Sequence, residues 1–161
     1  MYLILTLPDC WWDMQALWMM DLSNNSFTGE IPVALSSHNC SLSSLYLMTN
    51  GFTGVFPSVI QRCSMLSTLD IGNNRFFGGI PTWIGSGVPQ LQILRLGSNN
   101  FSGEIPSELS QLSQLQNLDL SSNSLTGSIP WEFNSSSIPS HMNFGVDGMH
   151  SKIMQKTRHV D

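Results

Sequence analysis

Apolar and polar positions follow one fixed order along most of this chain. In residues 115–133, LQNLDLSSNSLTGSIPWEF, the order runs through Leu115, Leu118, Leu120, Asn123, Leu125, Gly127, Ile129, Pro130 and Phe133. The same order, L-x-x-L-x-L-x-x-N-x-L-x-G-x-I-P-x-x-L, is filled again from Leu17, Leu42, Leu66 and Leu91, with Met, Ile or Phe standing for some leucines. Its proline falls at Pro32, Pro57, Pro81, Pro106 and Pro130, with Pro8 one step earlier, so the steps are 24, 25, 24, 25 and 24 residues. A period of this length marks a stack of similar coils, none of which can bury its apolar face alone.

The L-x-L pair alternates, so its two apolar side chains share one face and the residue between them takes the other. That predicts one short strand per coil, and stacked coils make a parallel sheet with strands about 4.8 Å apart. The apolar-Pro step fixes φ and extends the residue before it, which favours a second extended segment over a long helix. The glycine of each unit permits a backbone angle or a close approach that a side chain would block. A β-sandwich of many short strands would explain the alternation but not the strict beat.

Asparagine keeps the same beat at Asn25, Asn50, Asn74, Asn99 and Asn123. It has to turn the chain out of the strand. A buried amide at each coil is expected to bond backbone groups of the turn, so that a ladder of asparagines satisfies polar groups along the stack.

Charge narrows the function. Only 11% of residues are charged and the net charge is -5, against about 25% charged residues in an ordinary domain. An acidic chain lacks the basic footprint of a nucleic-acid binder and gains nothing from an anionic membrane surface. No apolar run is long enough to span a bilayer. The opening MYLILTLPDCWW lacks a basic start, and Pro8 cuts it short, so it reads as the remnant of a preceding repeat over residues 1–16 rather than as a leader. Cys10, Cys40 and Cys63 have no metal or redox spacing and are read as small buried hydrophobes, with a Cys40–Cys63 bridge left open. His38, His141, His150 and His159 lack metal-binding partners and read as surface residues, and GSG at residues 85–87 lacks the spacing and lysine of a phosphate loop.

The segments F-T-G-E-I-P at residues 27–32 and F-S-G-E-I-P at residues 101–106 resemble the plant-specific leucine-rich-repeat class. That class occurs in the ectodomains of receptor-like kinases and receptor-like proteins, and in polygalacturonase-inhibiting proteins. The resemblance covers residues 17–133, read as five repeats, plus Leu7-Pro8. It implies an α/β repeat solenoid: a right-handed superhelix with a concave parallel β-sheet, a mostly irregular or 3-10 convex side, and a second, shorter sheet near the L-x-G-x-I-P segment. It also implies a recognition scaffold for a protein or peptide ligand, often with a co-receptor, and no cofactor. The chain has no V-A-I-K lysine, H-R-D loop or D-F-G, so no enzyme is expected within it, even where the parent is a receptor kinase. The signal peptide and cysteine-paired cap of the family are also not found. The expected setting is the extracellular face of the plasma membrane or the apoplast, as an internal slice of a receptor. The alternatives are a secreted inhibitor-like module and a truncated product with no independent function.

The candidate ligand face is the residue between each apolar pair: Asp21, Tyr46, Asp70, Arg95 and Asp119, joined by Met48. An exposed Tyr and Met beside acids and one Arg suit a peptide or protein, although Asp and Ser also serve there as solvated spacers. Catalysis is not indicated, because no base or nucleophile accompanies the aspartates. N-x-[ST] sequons at Asn24, Asn39, Asn100 and Asn134 would carry glycans in a secreted parent. After Phe133 the beat stops. Residues 134–161 are read as disordered, or as the start of a non-repeat island, with a short helical turn at MHSKIMQK. Solenoids need polar capping repeats, and their lack predicts poor solubility or marginal stability for the isolated chain.

Overall fold

The computed structural model of the chain describes residues 5–14, 16–33, 40–129 and 139–144. Each coil contributes one strand to each of two parallel sheets. The odd-numbered strands β1 (Met19–Asp21), β3 (Ser44–Tyr46), β5 (Thr68–Asp70), β7 (Ile93–Arg95), β9 (Asn117–Asp119) and β11 (His141–Asn143) form a six-stranded sheet in that order. The even-numbered strands β2 (Thr28–Glu30), β4 (Gly51–Gly54), β6 (Arg75–Gly78), β8 (Asn100–Glu104) and β10 (Ser124–Thr126) form a second sheet. The first sheet arises from the L-x-L pairs and the second from the residues leading to the apolar-Pro step. A parallel bridge from Leu5 to Phe27 continues the second sheet into the coil before the first repeat.

Between the sheets runs one continuous core. The L-x-L residues Leu45, Leu47, Leu69, Ile71, Leu94, Leu96, Leu118 and Leu120 are all at most 2% exposed. The aromatic position of each unit stacks on the next, with ring centroids 5.8 Å apart for Phe27–Phe52, 6.4 Å for Phe52–Phe76 and 6.2 Å for Phe76–Phe101. Their planes lie within 18° of parallel. After the prolines the chain makes one short turn of 3-10 helix, at Ser58–Arg62 and Ser107–Gln111, or a single α turn at Ile84–Gly87. Each proline is extended where it caps a 3-10 turn, and its carbonyl then accepts the first turn bond, as from Ile60 and Leu109. Gly85 has a packing role here: a side chain on it would run into the Glu108 carbonyl of the next coil.

The ladder asparagines tie successive coils together. Asn74 donates its amide to the carbonyls of Leu47 at 2.9 Å and Ile71 at 3.1 Å, one in the previous coil and one in its own. Its Oδ1 accepts the Phe52 N–H at 3.0 Å. Asn50, Asn99 and Asn123 repeat this set with Phe27, Phe76 and Phe101 as donors. The residue before each asparagine (Asn24, Thr49, Asn73, Ser98 and Ser122) takes φ between 51° and 57°, so the sharp step of the turn falls one residue ahead of the ladder. At the template glycines φ is also positive, reaching 98° at Gly54, where a Cβ would lie 3.0 Å from Glu30 Cγ.

Two expectations change. Cys40 and Cys63 are not separate buried hydrophobes: they form a disulfide, which the register of neighbouring coils brings to a Cα–Cα distance of 4.6 Å. Cys10 is exposed. The tail also differs from its reading as a disordered or island segment at residues 139–144, because β11 pairs in parallel with β9. The physical reason lies in Met142 and Phe144, which stand 24 residues after Leu118 and Leu120 and reproduce the apolar alternation. Phe144 packs against the core, and the Leu120 N–H donates to the Asn143 carbonyl at 2.7 Å. The MHSKIMQK segment, Asn39, Asn134, His38, His150 and His159 lie outside the described residues.

Candidate functional site

Five of the six sequence-predicted contact residues fall into a single cross-strand row. The register pairs Asp21 with Tyr46, Tyr46 with Asp70, Asp70 with Arg95, and Arg95 with Asp119. Asn143 of β11 extends the row by one place. Parallel strands about 4.8 Å apart thus carry six consecutive side chains on one line. Met48 stands outside it. It follows β3, is half-buried, and its carbonyl accepts the Asn24 N–H at 2.9 Å.

Exposure along the row is uneven, contrary to the expectation of uniformly exposed positions. Asp21 and Arg95 are exposed, while Tyr46 and Asp119 are half-buried. Asp70 is buried, at 2% exposure. Its carboxylate accepts the Gly72 N–H at 3.1 Å and meets Arg95 Nη1 at 3.5 Å. Gly72 lets the carboxylate fold down onto the strand's exit, since a Cβ there would stand 3.3 Å from Asp70 Oδ1. The Asp119 carboxylate lies over Gly97, where a Cβ would come within 2.9 Å of Oδ2. Burial pushes the Asp70 carboxyl above the usual aspartate range, and the nearby Asp119 charge adds to it. The Gly72 N–H and the Arg95 guanidinium pull the other way. Asp21 is shifted down instead, because its carboxylate accepts the Ser23 N–H in open solvent.

At the end of the row Arg95, Asn117, Asp119, His141, Met142 and Asn143 line an open depression of about 450 Å³. Sequence reasoning missed its β11 wall. The signal was available in the Met142-x-Phe144 alternation, but the ladder asparagine and the proline that would follow it are lacking. The depression is polar, with one guanidinium, one carboxylate, two amides, an imidazole and the Ser140 hydroxyl, and Met142 is the one apolar residue of its lining. Such a set can orient a polypeptide by hydrogen bonds and charge. Among the described residues no group of three or more His, Cys, Asp or Glu side chains could hold a metal ion.

Two family models, both described as leucine rich repeat, match residues 66–125 and 16–38. No curated protein matches. Among solved structures, the PEPR1–AtPEP1 complex is 38% identical with a TM-score of 0.72, over 78% of this chain and 17% of that one. A plant ice-binding protein is 28% identical with a TM-score of 0.79, over 88% of this chain and 45% of that one. The ectodomain of the receptor kinase SOBIR1 from Arabidopsis thaliana is 30% identical with a TM-score of 0.68, over 78% of this chain and 68% of that one. The chain therefore spans about a sixth of PEPR1 but two thirds of the SOBIR1 ectodomain. With its repeats, its two parallel sheets and these relatives, the chain belongs to the leucine-rich-repeat family, in the class of plant receptor ectodomains.

Proposed function

We propose that this chain is a recognition segment of a plant receptor ectodomain, and that it binds a peptide or protein along the six-stranded sheet. The observation that carries the reading is the unbroken row from Asp21 to Asn143. It holds a half-buried tyrosine near one end and a polar depression at the other. Asp70 is buried beside Arg95, which leaves Asp21 and Asp119 as the accessible acidic points. A ligand with a basic group at either end suits them, and an aromatic or aliphatic residue suits Tyr46 and Met48. Aromatic anchors within a polar setting are the usual source of binding energy at such surfaces. A co-receptor is the natural second partner. The relatives support this reading: PEPR1 is found in a structure with AtPEP1, and SOBIR1 is a receptor kinase. The parent's kinase domain and its place at the outer face of the plasma membrane belong to the same proposal. Among the described residues no helix is long and apolar enough to cross a membrane.

The test is affinity selection of displayed peptides against the chain, followed by calorimetry with single variants. Tyr46→Ala and Asp119→Asn are expected to weaken the selected peptides at least tenfold, about 1.4 kcal/mol. Thr126→Ala on the second sheet should leave them unchanged. Peptides that bind all the variants equally would refute the assignment of this face.

A further inference from the structure

The outer face of the second sheet breaks its own pattern at one place. The residue after the inward-facing Phe, or after Leu125 in the fifth repeat, is Thr28, Thr53, Ser102 and Thr126 in four repeats, small hydroxyl side chains throughout, but Phe77 in the third. Phe76 is fully buried, so alternation turns Phe77 outward, and it is 47% exposed. Val55, 63% exposed, stands against the next residue: its Cγ1 would lie 3.5 Å from a Cβ on Gly78. An apolar pair in the middle of a polar face calls for a cover.

The register partner of Phe77 is Asn100. Asn100 begins the sequon Asn100-Phe101-Ser102, and alternation puts Asn100 and Ser102 on the same outer face, both exposed. Its neighbour Asn99 makes the contrast plain. The Asn99 amide is 7% exposed and fully engaged with the Ile71 and Leu96 carbonyls, while the Asn100 side chain is open to solvent. On the far side Gly79 has no side chain, and even a Cβ there would approach only the Ser102 carbonyl, at 3.8 Å. Phe77 and Asn100 are themselves both exposed and paired in register, so a group on Asn100 leaves the sheet beside the ring. Among the other sequons, Asn24 sits in a turn at φ 57° with no strand partner.

We propose that Asn100 carries an N-linked glycan whose first N-acetylglucosamine lies on the Phe77 ring and covers the Val55–Phe77 patch. Strands about 4.8 Å apart set the Asn100 amide beside the ring. One face of a pyranose presents C–H groups, which suit the negative face of an aromatic. The covalent step is the one this sequon undergoes in the secretory pathway. Asn100 Nδ2 attacks the anomeric carbon of a lipid-pyrophosphate-linked oligosaccharide, a C–N bond replaces the sugar–phosphate C–O bond, the lipid pyrophosphate leaves, and the amide gives up one proton. The inference rests on the extracellular reading above, and its consequence is a division of labour. Sugar closes the outer sheet around Phe77, while the row on the six-stranded sheet stays open to ligand.

The experiment is to express the full chain behind a secretory leader in plant cells and read each sequon by glycopeptide mass spectrometry. Asn100 is expected to be mostly occupied. Trimming the glycan to its first sugar should leave Tm unchanged, while Asn100→Gln should lower it by about 2–4 °C, the shift of a single favourable contact in a chain of this size. In a Phe77→Thr background, which restores the residue of three other repeats, the Asn100→Gln shift should vanish. The first-sugar protons should also show upfield ring-current shifts that Phe77→Thr removes. An empty Asn100 beside an occupied Asn24 and an intact Cys40–Cys63 bond would overturn the proposal and spare the extracellular reading. An Asn100→Gln shift that persists in Phe77→Thr would overturn the stacking. No occupied sequon, with Cys40 and Cys63 as free thiols, would remove the extracellular reading and the proposal with it.

Discussion

At the scale of single residues, the amide ladder and the buried carboxylate make opposite demands. Asn74 and Asn99 are at most 9% exposed and each bonds two coils. Asn25 is exposed, and among the described residues its amide bonds the Leu22 and Ser23 carbonyls of its own coil. Truncating Asn74 or Asn99 leaves buried backbone groups unpaired, at about 1–3 kcal/mol each, whereas water can replace the amide at Asn25. Urea unfolding of Asn74→Ala, Asn99→Ala and Asn25→Ala should rank them in that way, and equal losses would contradict the bridging role. Asp70 works in the other direction. Its carboxyl is raised in the folded chain, chiefly by burial, so the native state holds the proton more tightly than the unfolded state does. Stability from this group is full below the ordinary aspartate value and is lost as pH rises through the raised one. Melting between about pH 3 and pH 7 should therefore show a falling contribution that Asp70→Asn removes. Asp21 is lowered by the Ser23 N–H, so its contribution has the opposite sign: it is present above the ordinary value and lost as pH falls. Asp21→Asn separates the two.

At the scale of elements, the sequence announced what repeats and hid what does not. The L-x-L strands were legible because Leu45 and Leu47, or Leu94 and Leu96, alternate on a beat that few other folds require. The five strand-centre residues were legible as a line for the same reason: equal spacing in sequence becomes register in a parallel sheet. The burial of Asp70 was not, because it depends on the Gly72 N–H two residues away and on Arg95 one coil on. Strand β11 was hidden because Met142 and Phe144 replace the usual leucines and no ladder asparagine follows. The Cys40–Cys63 bond was hidden for another reason. The residues are 23 apart, almost one period, yet only the stacking of coils shows that such a separation means adjacency. The bond closes a loop of about one coil, for which restriction of the unfolded chain predicts about 2–4 kcal/mol. Cys63→Ala, or reduction of the native chain, should lower the unfolding free energy from urea titration by that amount, and the midpoint with it. An unchanged midpoint would mean that the coils hold the junction without it.

At the scale of the whole molecule, coil meets coil mainly in sequence order among the described residues, with Phe56 of the second repeat reaching past one coil to Phe101 of the fourth, ring centroids 6.1 Å apart. Each coil touches its neighbours through the phenylalanine column, the asparagine ladder and the two sheets, so stability is close to a sum of coil terms and interface terms. In such a chain a lesion in the middle differs from one at the end. Phe76 is fully buried and stacks on both Phe52 and Phe101, and Phe76→Ala removes the packing of two interfaces together, about 3–5 kcal/mol for a buried aromatic. Phe27 is partly buried and stacks only on Phe52 among the described residues, so Phe27→Ala weakens one interface near the edge. The expected result is a difference in cooperativity as well as in midpoint. The Phe76→Ala chain should unfold in two steps, or with a reduced urea m-value, because its two halves no longer expose their surface together. The Phe27→Ala chain should keep one transition with nearly the parental m-value. If Phe76→Ala merely shifts the midpoint at constant m, then the ladder and the sheets alone carry enough coupling to hold the coils in one unit, and the aromatic column contributes only packing.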